Sequence, residues 1–336
     1  MTTTLIVVSY NKRPYTELCL RGQLECTPPP DQIVVVDNGS TDGSTEMLAA
    51  VQADARGRGL EFEIIANSGN VGACTARNQG LEIATGDFIG FMDNDVAVRH
   101  RHWLAGLTQV LQSADDIGIV GPKLLYPFAP YHIECAGAAI SRGGRVQYRG
   151  RGSAIDDPRW TEPAEVQCLI SACWLMKRQV VAQIGNLDEA FNPAQFEDFD
   201  LCYRARQAGW RVMFEPSVEM YHFENVTTDG SPDVKFRYVT MKNWVEFKRR
   251  WRAAYEQERG PDEPVEALRE KLMQTIACKG AVKAGQRLNP DEIRSLLKRR
   301  DETASAHPAT ASTCPHGRPV SLKLTLDTLE RHFKRR

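Results

Sequence analysis

Two aspartates one residue apart, Asp93 and Asp95, close the segment GDFIGFMDND at residues 86–95. With Asn94 between them, carboxylates at i and i+2 can serve one hard divalent cation, or divide between a cation and a ligand hydroxyl, where the chain leaves a strand. An isolated pair of this kind reads equally as two solvated loop acids, because the pattern is short and common. Other reactive groups stand at comparable points. Asp37 ends an apolar run, Arg77 follows a Gly-rich turn, and Glu197-Asp198 precede an amphipathic stretch. A carboxylate can accept from the imide N–H of a pyrimidine, and a guanidinium can meet a phosphate or ring carbonyl, so Asp37 and Arg77 suit a nucleoside diphosphate. Plainer roles stay open: a turn former before Asn-Gly for Asp37, a surface helix arginine for Arg77 and a helix cap for Asp198.

The elements that must position these groups follow from periodicity. Leu5 to Val8 and Ile33 to Val36 are short all-apolar runs, and Phe88 to Met92 is a third. Helical stretches from about Pro14 to Leu24, Thr45 to Ala53 and Ala73 to Ala84 alternate with them and with a strand at Glu61 to Ile65. Continuous Val/Ile runs separated by helices mark parallel strands covered on both faces, hence a doubly wound α/β sheet with ligands at the carboxyl ends of its strands. Further strands are expected at Ile117 to Leu125, within Leu169 to Lys177 and at Trp210 to Phe214, with a short helix from Gln179 to Ile184. Residues 143–157, rich in Gly and Arg, read as a mobile surface loop.

At 336 residues and a formal net charge of −1, the chain suits one large domain plus an appendage, since single cores stop growing near ~250 residues. No apolar run approaches the ~18 residues that cross a bilayer, and MTTTLIVVSYNKR lacks the layout of a signal peptide. The expectation is a cytoplasmic protein, peripheral at the inner face of the membrane if it meets one. Nine cysteines, an odd number, do not form a secreted disulfide framework and read as small buried residues in a reducing compartment.

Five segments in order carry a resemblance: VVSYNK, VVVDNGSTDGS, NSGNVGACTARNQGL, GDFIGFMDND, and FEDFDLCYR with AGWRVMFEPSVEMYH. Together they resemble family-2 glycosyltransferases, in particular the rhamnosyltransferase-like branch, over residues 5–224. The resemblance implies a GT-A fold, a Rossmann-like doubly wound mixed sheet with a mainly helical C-terminal extension. It implies a domain over residues 1–225, with a nucleotide-sugar half to about residue 100 and an acceptor half beyond it. It further implies that Ser9, Asn11, Asp37, Arg77 and Asp93 hold the donor, and that Asp93, Asp95 and His222 hold Mg²⁺ or Mn²⁺ on the diphosphate, Asp95 being the direct ligand. Asp198 would be the catalytic base, with Glu197 on the acceptor side; a strand-end histidine bonded to backbone is the plainer reading of His222. Such chemistry is a single displacement at the anomeric carbon, inverting it, with the leaving phosphates neutralised and one carboxylate stripping the acceptor hydroxyl. Trp174 reads either as a platform for a sugar face or as core. The implied partners are a UDP- or dTDP-sugar and a glycan, lipid-linked or protein acceptor, in cell-surface glycan or polysaccharide synthesis. A nucleotide-sugar-binding scaffold without turnover is the alternative.

Residues 226–260 read as a helical linker, basic and Trp-containing, with Val239, Trp244, Phe247 and Trp251 at helical spacing. It either packs on the catalytic domain or lies on a membrane surface. Residues 261–336 contain ACKGAVKAGQRL, CPHGRP and a terminal FKRR, with a low-complexity stretch at 301–313. This tail resembles the C-terminal endonuclease region of MutL-type mismatch-repair proteins, which implies a zinc site at Cys278, Cys314 and His316 and raises the alternative of a DNA-associated metal-binding protein. The acidic D-Q-H-A-x-x-E motif of that family has no counterpart here, so nuclease action and a nucleic-acid partner are not expected.

Overall fold

β-Branched runs with no polar face can sit only where both sides are covered, and the centre of the sheet is built from them. The computed structural model describes residues 1–224, 236–258 and 260–261, all within the unit Met1–Asp262. Its first part alternates β1 (Thr3–Ser9), α1 (Arg13–Leu24), β2 (Gln32–Asp37), α2 (Ser44–Gly57), β3 (Glu61–Ala66), α3 (Ala73–Ile83) and β4 (Phe88–Asp93). The middle contains β5 (Val96–Val98), α4 (Trp103–Ser113), β6 (Ile117–Leu125), β7 (Ile133–Cys135), β8 (Ala138–Ile140), β9 (Val146–Tyr148) and β10 (Ala164–Glu165). The last part runs through β11 (Cys173–Lys177), α5 (Arg178–Ile184), α6 (Glu197–Gln207), β12 (Arg211–His222) and α7 (Phe236–Gln257).

Ten strands form one mixed sheet in the order β10-β12-β6-β11-β4-β1-β2-β3, with β5 on β12 and β7 on β6. β1, β2, β3 and β4 are mutually parallel, and β11 runs antiparallel between β4 and β6. Two apolar clusters fill the two faces. One contains Ile6, Val34, Phe91 and Trp174, the other Leu5, Ile33, Met92 and Trp103. The alternation of β1 and β2 residues between the clusters is the period-2 geometry of a strand.

Residues 143–157 are not the surface loop expected of their Gly and Arg content. β9 lies within them, paired with β8, and Tyr148 packs against both clusters. α7 packs rather than standing free: Val239, Asn243, Phe247 and Tyr255 are buried along it. The seven cysteines among the described residues are all unpaired and buried. No helix among the described residues is long and apolar enough to cross a membrane. Cys278, Cys314 and His316 lie outside the described residues.

Candidate active site

Register sets the first positions. Ser9 pairs with Asp37 across β1 and β2, and Val8 with Asp93 across β1 and β4, so the carboxyl ends of three adjacent strands present both acids on one edge. β12 completes the set from the other half of the sheet. His222 is opposite Val96 of β5, and the Phe223 amide donates to the Asp95 carbonyl at 3.0 Å. Asp93, Asp95 and His222 consequently offer ligand atoms all within 4.8 Å of one another. Asp95 and His222 are buried, whereas the Asp93 side chain is 35 % exposed and faces outward.

A buried guanidinium links this trio to α6. Arg77 donates to Asp93 Oδ1 at 2.6 Å and to Glu197 Oε1 at 2.8 Å, with Phe91 beneath it at 5.6 Å. Asp198 follows Glu197 in the first turn of α6, where Oδ1 accepts from the Phe199 amide at 2.8 Å and Oδ2 from the Ser171 amide at 3.2 Å. One positive charge therefore serves three carboxylates. Burial raises Glu197 against the pull of Arg77. Asp198 receives the least compensation: burial and then the Glu197 charge push it up to about 7, although two amides and Arg77 oppose the shift. A carboxyl that loses its proton near neutrality is suited to general-base work.

Behind the trio, His222 Nε2 lies 3.4 Å from Asp95 Oδ1 and Nδ1 lies 3.2 Å from Glu134 Oε2. Burial opposes the charged imidazole, but the bonds to Asp95 and Glu134 outweigh it and hold His222 well above its ordinary value. Arg151 neutralises Glu134 at 2.9 Å and bridges to Glu224 at 2.9 Å. Its guanidinium caps the Tyr148 ring at 4.4 Å. Burial and then the Asp198 carboxylate raise the Tyr148 hydroxyl.

On the opposite side, Asp37 Oδ1 accepts from the Ser40 hydroxyl and amide, and Asn11 Oδ1 accepts from the Thr41 amide at 2.8 Å. Asn38 reaches across to the Gly-rich turn, donating to Asn70 Oδ1 and the Gly72 carbonyl. The loops after β1, β2 and β3 are thereby fastened to each other.

The sequence profile described as glycosyl transferase family 2 matches residues 4–185, more than half of the chain. The chain belongs to that family. An N-acetylglucosaminyl-diphospho-decaprenol L-rhamnosyltransferase of Mycobacterium tuberculosis is 28 % identical over 254 residues, covering 68 % of this chain and 78 % of the relative. An uncharacterized protein of Sinorhizobium fredii is 26 % identical over 228 residues, 66 % of this chain but 24 % of that protein, so this chain spans about a quarter of that relative's length. A third match is confined to 76 residues, 23 % of the chain, at 50 % identity to 11 % of a DNA mismatch repair protein MutL of Syntrophobacter fumaroxidans. Among solved structures, GalNAc-T7 with UDP, GalNAc and Mn²⁺ superposes with a TM-score of 0.62 at 17 % identity over 91 % of this chain and 58 % of that one. The mannosyltransferase PcManGT of Pyrobaculum calidifontis, with GDP-Man and Mn²⁺, gives 0.51 at 18 % identity over 91 % and 81 %. The fold of this glycosyltransferase is GT-A.

Several residues expected to contact donor or acceptor are buried. Trp174 is 0 % exposed, packed on Phe91 at 5.8 Å, and offers no face to a sugar, because β11 lies in the middle of the sheet and points it into the core. Glu197 is buried against Arg77 rather than open to an acceptor. Arg77 is itself buried and bonded to two carboxylates, those of Asp93 and Glu197. Ser9 is fully buried, its hydroxyl 3.2 Å from that of Thr16, and Asn11 ties two loops together. Glu134, Tyr148 and Arg151 are additions that pattern reading missed. Glu134 sits in an apolar stretch without a motif, and Tyr148 and Arg151 fall in the segment taken for a surface loop.

Proposed function

We propose that this glycosyltransferase moves a sugar from a UDP- or dTDP-sugar to an acceptor hydroxyl with inversion, and that it needs a divalent ion. The convergence of Asp93, Asp95 and His222 within one ion's reach, joined through Arg77 and Glu197 to Asp198, carries this reading. Two carboxylates and an imidazole fit Mn²⁺, which accepts nitrogen, and leave coordination positions for diphosphate oxygens and water. A bound ion would neutralise the charge that grows on the departing diphosphate. His222, which Glu134 holds through Nδ1, turns Nε2 towards Asp95, and a bound ion would take the place of the Nε2 proton. Asp37 keeps Oδ2 for a pyrimidine imide after Ser40 has taken Oδ1. Asp198, deprotonated near neutral pH, accepts the proton of the attacking hydroxyl.

The Mn²⁺- and nucleotide-sugar-bound structural neighbours and the lipid-linked acceptor in the name of the mycobacterial relative support a rhamnosyl- or hexosyltransferase of cell-surface glycan synthesis, working on a lipid-linked or polysaccharide acceptor. The experiment is a screen of nucleotide sugars for nucleoside diphosphate release with Mn²⁺, with Mg²⁺ and with chelator, in wild type and Asp198→Asn. We expect release with one donor, its loss with chelator, and its loss in Asp198→Asn with UDP affinity kept within about threefold. Full transfer by Asp198→Asn would reject the base assignment. UDP binding without release from any donor would favour the scaffold reading.

A further inference from the structure

The buried stripe of α7 contains one polar member. Val239, Asn243, Phe247 and Tyr255 follow one another at multiples of four residues, and Asn243 is wholly buried. A buried amide costs free energy unless its hydrogen bonds are met. Asn243 Nδ2 shares its two hydrogens among three main-chain carbonyls, those of Phe191 at 2.5 Å, Ala194 at 2.8 Å and Gln195 at 3.0 Å, while its Oδ1 is buried without a partner. Three acceptors around one NH₂ group fix which end of the amide faces the loop.

Those carbonyls belong to the segment that leads into α6. Gln195 and Phe196, at the end of that segment, have φ of 79° and 74°, a conformation that is unfavourable for an L-residue. Neither is glycine, so outside contacts must hold them there. Phe247 of α7 supplies one, packing on Phe196 at 5.4 Å, and Asn243 supplies the others. Asp198 stands two residues beyond Phe196. The same loop also touches the Gly-rich turn: the Ala73 amide donates to the Pro193 carbonyl at 2.7 Å, and Asn192 Nδ2 to the Val71 carbonyl at 2.8 Å.

We propose that Asn243 is a positioning residue for sugar transfer: by gathering three carbonyls of residues 191–195 it keeps Gln195 and Phe196 left-handed and so aims Asp198 at the acceptor hydroxyl. The inference rests on Asp198 being the base. α7 is then part of the catalytic apparatus, and its buried amide has a function that an apolar residue of the same size could not supply.

The test compares full-length Asn243→Ala with Val245→Ser, a change at a 57 % exposed site on the same helix. Three quantities are read: hydrogen exchange over residues 194–200, UDP affinity with Mn²⁺, and UDP or dTDP release from UDP-N-acetylglucosamine and dTDP-rhamnose. In Asn243→Ala we expect exchange at least tenfold faster in that segment, UDP affinity within about threefold, and turnover down at least tenfold; Val245→Ser matches wild type. Gln195→Gly added to Asn243→Ala restores a substantial part of both losses, because glycine takes a positive φ without a clamp. A residue that merely fills space would not be rescued in this way. Unchanged exchange in Asn243→Ala, or no rescue by Gln195→Gly, overturns the proposal. If Asn243→Ala does not fold, Asn243→Ser, which keeps one donor, takes its place in both arms. A loosened loop in Asn243→Ala alongside normal turnover by Asp198→Asn overturns the base assignment alone and leaves the clamp supported.

Discussion

Asp198 is tuned by a shortage of positive charge. Arg77 spends its two bonds on Asp93 and Glu197, so the third carboxylate, half-buried beside an anion, rises to about 7. Turnover should accordingly fall as pH drops through about 7 and level off above it, and the pH profile of kcat under saturating donor reads this directly. The same shift has a consequence for stability. A carboxyl whose folded pKa lies above its unfolded value binds more protons folded than unfolded between about pH 4 and 7, so its contribution worsens across that window and is fully unfavourable above it. Asp198→Asn should therefore raise the melting temperature at pH 8 by roughly 2–4 °C, for a gain on the order of 1 kcal/mol, with no gain below about pH 4. A melting temperature unmoved at pH 8 would place Asp198 in a solvated environment and remove the basis for its tuning.

At the scale of elements, the loops after the parallel strands are tied so tightly that one methyl group is enough to disturb them. Gly72 has φ 92°, and a Cβ there would sit 2.2 Å from Asn192 Oδ1. Gly72→Ala should cost roughly 1–3 kcal/mol and weaken UDP binding at least tenfold, since the turn and the 191–196 loop would part. Gly57→Ala, with nothing within 4 Å, should leave both unchanged, and calorimetry on the pair separates the cases. This is also where sequence reading succeeded and failed. Apolar runs ending in an acid were legible because strand period and burial leave one place for them, and that put Asp37 and Asp93 at the carboxyl ends of parallel strands either side of β1. Reach was not legible. Nothing in the spacing of Arg77 and Glu197, 120 positions apart, shows that they neutralise each other instead of meeting a ligand, and Trp174 looks the same in sequence whether it faces sugar or core. The polar break at Asn243 in an otherwise apolar stripe was a usable signal.

For the whole molecule, the question is where the catalytic unit ends. Val239, Phe247 and Tyr255 are buried, and Phe247 closes over Phe196, Phe199 and Tyr203. Full burial of such side chains is worth about 1.5–3 kcal/mol each, so the three together approach the roughly 5–15 kcal/mol by which a domain is stable. Polar ties add to this: Arg250 meets Asp188 at 2.6 Å, Trp251 Nε1 donates to Asp200 at 2.9 Å, and Arg206 meets Glu258 at 2.7 Å. A chain cut after residue 225 would lose all of this and present the aromatic face of α6 to water, so it should be insoluble or melt without cooperativity. A chain cut after residue 262 keeps the core of its unit whole and should melt cooperatively, within a few degrees of the full chain, with UDP affinity retained. Circular dichroism melts of the two truncations decide the matter. Cooperative unfolding of the shorter chain at the temperature of the longer one would show that α7 rests on the domain without supporting it, and the base-loading loop would then have to be held from the sheet side alone.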